Sequence, residues 1–215
     1  MILIRFFKFA MIGVLLGAVL SPLSAQEQDA SALLRERLES VQGDAETTIR
    51  GASVAAAPFL LRLYSRRNFE PAWNDVGRID EFIGIIEATR EEGLNPEDYH
   101  AKLLRDTQRR TTGSTGAQLA VDFDVLLTDA LVRLGAHLRF GKVDPVGLDP
   151  NWNVARDLRT DDPVAVFQAA IDADSLKAFI DERIPRQAFY QRFKQALARY
   201  REIREAGGWP TIAEG

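Results

Sequence analysis

Beyond residue 25 the apolar positions recur every three or four residues almost without interruption, and no stretch alternates with period two for more than a few residues. Spacing near 3.6 places such residues on one face of a helix. The chain therefore reads as all-α: an irregular multi-helix domain with one long central helix and no internal repeat.

The elements follow in order. Leu33, Leu34, Leu38 and Val41 predict a first helix that stops near Gly43, and residues 46–51 read as a linker. Leu60, Leu61 and Tyr64 mark a second helix over about 54–67, with Pro58 in its first turn, where its missing amide hydrogen costs little. Pro71 disfavours helix at Glu70, so Phe69-Glu70-Pro71-Ala72-Trp73 is expected to be extended. Ile79, Phe82, Ile83 and Ile86 give a third helix over about 78–92, closed by Gly93 as a left-handed cap.

Asn95-Pro96-Glu97-Asp98 combines a cap residue, an N1 proline and early acids, and predicts a helix running to about Arg109. After a Thr-, Gly- and Ser-rich loop, Phe123, Leu127, Leu131, Leu134 and Leu138 share a face of the longest helix, which ends at Gly141. Asp144-Pro145 and Asp149-Pro150 make residues 142–152 an ordered irregular excursion. Asp162-Pro163 restarts short helices near 164–170 and 175–182. A last long helix carries Phe189, Phe193, Ala196, Leu197, Tyr200 and Ile203 before Gly207-Gly208.

Composition narrows the class. With 215 residues, 46% hydrophobic and 27% charged, the chain suits one domain that buries its own core. It has no cysteine, which removes disulfides, thiolate metal sites and a cysteine nucleophile together. Arg5 and Lys8, the apolar run 10–20 and the small-residue end Ser21-Pro22-Leu23-Ser24-Ala25 read as an export signal over residues 1–25, cleaved after Ala25. The alternative is a retained anchor, but the uncharged stretch 9–23 is shorter than the ~20 residues of a spanning helix. Residues 26–51 then form an amino-terminal helix and linker, and 52–215 the main helical domain. Without Arg5 and Lys8 the chain keeps 25 basic residues against 31 acidic, so it offers no basic field for nucleic acid.

The candidate chemistry is sparse. His100 sits among the helix-start acids Glu97 and Asp98, with no zinc-ligand spacing around it. His137 has Asp129 two turns earlier and Asp144 beyond the helix end; a His–Asp base is conceivable, yet no nucleophile is placed to complete it, and a hydrogen-bonded structural histidine is the plainer reading. Gly141-Lys142-Val143 lacks the glycine and the Ser or Thr of a phosphate loop. Phe69, Trp73, Trp152 and Trp209 fall in irregular pieces, where aromatics either stack on sugar rings or pin loops to a core. No cofactor or metal is expected.

Five segments carry a resemblance: Leu60-x3-Tyr64-x2-Arg67-x-Phe69-Glu70-Pro71-Ala72-Trp73; Glu92-Gly93-Leu94-Asn95-Pro96-Glu97-Asp98-Tyr99-His100; Leu127-Thr128-Asp129-Ala130; His137-Leu138-x2-Gly141-Lys142-Val143-Asp144-Pro145; and Tyr200-Arg201-x5-Gly207-Gly208-Trp209-Pro210. Together they resemble the amino-terminal scaffold domain of large multidomain murein L,D-transpeptidases. That resemblance implies a helical, non-catalytic domain in the periplasm, with peptidoglycan or cell-wall enzymes as partners. The family's nucleophile is a cysteine in a later domain, and no position here matches it. The expectation is a binding or scaffolding module of peptidoglycan cross-linking. The alternative is the front part of a split or truncated transpeptidase whose catalytic cysteine domain is separately encoded. Ligand or partner contacts are expected among Tyr64, Arg67, Phe69, Trp73, Tyr99, His100, His137, Asp144 and Trp152.

Overall fold

A computed structural model of the chain describes residues 22–41, 48–111, 116–143 and 162–210. The basic start and apolar run of the expected signal, and the excursion holding Asp144 and Trp152, lie outside the described residues. What is described is almost wholly helical, as the periodicity predicts. Its helices are α1 (Pro22–Ser40), α2 (Ala57–Arg66), α3 (Val76–Ala88), α4 (Ala101–Thr111), α5 (Ala117–Phe140), α6 (Pro163–Asp172), α7 (Leu176–Asp181) and α8 (Ala188–Glu205).

α5 is the axis of the fold. It packs against α1, α2, α4 and the turn before α4, while α3 joins α4 and α7, and α6 rests on α2. An isolated amphipathic helix would show one wet face, but every residue from Val121 to Val132 is buried. A helix enclosed on all sides belongs at the centre. Leu126, Leu127, Ala130 and Leu131 are fully buried there, each large side chain gaining about 1.5–3 kcal/mol from leaving water. Leu34 and Leu38 bring α1 into the same core.

Cap chemistry sets the element boundaries. Asp75 and Asp162 accept hydrogen bonds from the first free amides of α3 and α6, and Pro58 occupies the first turn of α2. Gly93 takes φ 79°, as a left-handed cap requires, and its amide donates to the Arg90 carbonyl at 3.1 Å. The last turn before it, Thr89–Glu92, tightens to a 3-10 helix.

Three local features depart from the sequence reading. The expected linker at 46–51 contains a minimal hairpin, Thr48–Ile49 (β1) antiparallel to Ala52–Ser53 (β2). Arg50 and Gly51 both have positive φ, the geometry that closes a two-residue hairpin, and Ile49 drops into the core. The helix expected from Asn95 to Arg109 is broken. A 3-10 turn over Pro96–Tyr99 ends at His100, whose left-handed φ of 62° redirects the chain into α4. Finally, α8 buries none of its residues, and Phe189, Phe193 and Tyr200 stand 59%, 70% and 61% exposed.

Candidate functional site

Most of the candidate residues converge on α5, in three hydrogen-bonded clusters around it. The first is centred on Asp124. Its carboxylate accepts from the amides of Ala72 and Trp73, both at 3.0 Å, and from the Tyr64 hydroxyl in a very short contact. One turn along, Thr128 accepts from the Trp73 indole at 2.9 Å and lies 2.7 Å from the Tyr64 hydroxyl. The extended piece 69–73 is thus held at two consecutive amides and one ring. Burial raises the pKa of Tyr64, and the Asp124 charge adds to the effect, so the phenol stays a neutral donor. Burial likewise raises Asp124, against the opposing pull of Tyr64 and the two amides.

Asn68 and Phe69 enter this piece with φ of 53° and 60°. An aromatic residue in the left-handed region costs about 1–3 kcal/mol and persists only where its surroundings dictate the conformation. Here they do: the following amides are fixed on Asp124, and the Phe69 ring packs under the Arg35 guanidinium, 4.4 Å from its centroid. Arg67, also on the list, pairs outward with Asp172 of α6 at 2.6 Å.

The second cluster is centred on Asp129, which is fully buried. It accepts from the Ala56 amide at 2.9 Å and from Arg133 at 3.4 Å, and meets His100 Nε2 at 3.0 Å. The left-handed turn at His100 aims its ring at α5, which explains the break in the predicted helix. The third cluster pairs the Tyr99 hydroxyl with His137 Nδ1 at 2.9 Å. Burial and then the Asp98 charge push Tyr99 up to about 12, so it donates and His137 accepts. Burial, helped by the charges of Arg133 and Lys142, lowers His137.

His137 and Asp129 therefore do not form the base pair considered from sequence; each is satisfied by a different partner from the segment before α4. No group of three or more His, Asp or Glu able to hold a metal occurs among the described residues. Chemically the clusters are braces. They tie irregular segments to α5.

Two surfaces lie outside the sequence shortlist. A cleft of about 420 Å³ between α5, α6 and the end of α7 is walled by Ala136, Phe140, Val166 and Phe167, with Arg139 and Arg183 among its lining residues. Arg183 stacks on Phe179 at 3.4 Å, and burial lowers its pKa. Glu182 also lines it, 3.9 Å from the Arg183 guanidinium, so the cleft sets an apolar floor beside charges of both signs. The second surface is the exposed aromatic face of α8, whose residues the periodicity identified without saying what covers them.

The family model described as Scaffold domain matches residues 58–197. All nine candidate residues fall within that span, which runs from the first turn of α2 into α8. No curated protein and no solved structure matches the chain.

Proposed function

The chain belongs to the Scaffold domain family, and from that premise we propose that it is a non-catalytic scaffold beside peptidoglycan, serving cross-linking or remodelling by L,D-transpeptidases. The observation that carries the proposal is the use of the shared segments. Residues 58–197 match the family, and within them Tyr64, Trp73, Tyr99, His100 and His137 take part in the hydrogen bonds that brace α5 to the segments packed on it. A transpeptidase acyl-enzyme needs a thiolate, and these 215 residues contain no cysteine to supply one. The export-like start, with Arg5 and Lys8 before an apolar run, supports a periplasmic site of action.

The test is fractionation of cells producing the tagged full chain, followed by co-sedimentation of the purified protein with isolated sacculi. The expected result is recovery from the periplasm and retention on sacculi or on a cell-wall transpeptidase. A chain that remains cytoplasmic, or that leaves both sacculi and transpeptidases in the supernatant, overturns the proposal.

A further inference from the structure

Among the described residues, α8 is attached to the rest of the molecule along one side only. Glu92, at the end of the 3-10 turn, accepts from Tyr190 at 2.7 Å and pairs with Lys194; Arg201 donates to the Arg90 carbonyl at 2.6 Å, and Leu197 lies against Gly93. The neighbouring side carries Phe189, Phe193, Ala196, Tyr200 and Ile203, none of them buried. Their spacing is four, three, four, three. That is the 3.5-residue repeat of a coiled-coil seam, narrower than the broad stripe by which a surface helix joins a globular core. The small Ala196 between Phe193 and Tyr200 leaves room for an incoming side chain.

The charge beside this seam selects its occupant. Along the edge away from the body run Arg192 and Arg199, seven residues apart, both exposed and with no ion pair among the described residues. The whole helix holds five basic residues (Arg192, Lys194, Arg199, Arg201, Arg204) against two acidic (Glu202, Glu205), in a chain whose net charge is -4. A second copy of α8 would set Arg192 and Arg199 against arginines or Leu197, which penalises self-pairing. A membrane surface wants a wide apolar arc with both flanks free, and here one flank is fixed to the 3-10 turn.

We propose that the Phe189–Ile203 seam of α8 docks an amphipathic helix of another protein that carries a matching heptad seam bordered by Glu or Asp. This deepens the scaffold reading and rests on it for the idea that the domain works by holding a partner. The seam is about 21 Å long, some two heptads, so acids on the partner helix can reach both Arg192 and Arg199.

The test measures binding of the full chain to two labelled 21-residue helical peptides with the same Leu/Ile seam, one flanked by Glu and one by Lys, by fluorescence anisotropy. The expected result is at least tenfold tighter binding of the Glu-flanked peptide, lost in the Phe193→Asp, Tyr200→Asp double variant and reversed in preference by Arg192→Glu with Arg199→Glu. Unchanged circular dichroism and melting temperature establish that the variants remain folded. Equal binding of both peptides, binding of neither, self-association at the same concentration, or binding only to phosphatidylglycerol vesicles overturns the proposal. Sacculus co-sedimentation of the Phe193→Asp, Tyr200→Asp variant separates the two readings: loss of peptide binding with sacculus retention intact leaves the peptidoglycan reading standing.

Discussion

Replacing Asp124 with alanine removes the acceptor for two buried amides, those of Ala72 and Trp73, and one of three acceptors around the Tyr64 hydroxyl, which keeps Thr128 and the backbone carbonyl of residue 124. Tyr64 is completely buried, and Ala72 and Trp73 are 7% and 8% exposed, so water does not readily replace the carboxylate. A buried donor left without a partner costs about 1–3 kcal/mol. Two orphaned amides, less the relief of no longer burying the carboxylate, give a loss of about 3 kcal/mol. That is a large share of the 5–15 kcal/mol or so that holds a typical domain together, and corresponds to a melting temperature lower by about 9 °C for a chain of this size. Asp124→Asn keeps the shape but turns an NH2 group towards donors, so it is expected to fall between parent and alanine. Tyr64→Phe alone is expected to cost about 1.5 kcal/mol, and the double variant to show coupling of at least about 1 kcal/mol. Urea unfolding followed by tryptophan fluorescence reads all four proteins. An Asp124→Ala unfolding free energy within about 1 kcal/mol of the parent, at unchanged slope, would refute the view that this carboxylate organises residues 69–73.

Two further outcomes follow from the same structure. Because the folded pKa of His137 is depressed below its usual 6.5, its contribution to stability is present above that value and is lost as pH falls through the folded pKa; His137→Gln is expected to flatten the stability-versus-pH curve on the acid side, and an unchanged curve in denaturation experiments run across that range counts against it. Leu126→Ala, at a site with no exposure, is expected to cost about 3 kcal/mol, whereas Phe193→Ala, at 70% exposure, is expected to shift stability by less than about 0.5 kcal/mol in the same unfolding assay.

The helical architecture was legible because its punctuation is local. Asp75, Asn95, Asp162 and Ser175 each cap the helix that follows them, and Gly93 ends one, through bonds spanning three or four residues. What could not be read is what depends on distant partners. The break at His100 exists because its ring reaches Asp129, 29 positions away, and no local signal separates a capped helix from a capped turn followed by a left-handed residue. The hairpin at 48–53 is too short for an alternating pattern to show. The five-segment motif contains Tyr64, Trp73, Tyr99, His100 and His137, which the structure gathers at α5, but type and spacing do not distinguish a brace from a binding group. Periodicity in α8 likewise shows that it has an apolar side without saying whether this chain covers it.

The three clusters on α5 also act as a gauge of alignment. Asp124, Thr128, Asp129 and His137 span about 20 Å of one helix; the first two hold Tyr64 and residues 72–73, Asp129 holds Ala56 and His100, and His137 holds Tyr99. Apolar side chains alone tolerate a helix sliding by one turn, since another leucine arrives where the first had been. Polar fastenings at unequal intervals do not. A one-residue slip rotates the helix by about 100°, leaving the carboxylates of Asp124 and Asp129 buried without their donors simultaneously. Misdocked arrangements of this helix are thereby driven far up in energy, and the many near-equivalent packings open to a leucine-rich rod reduce to one.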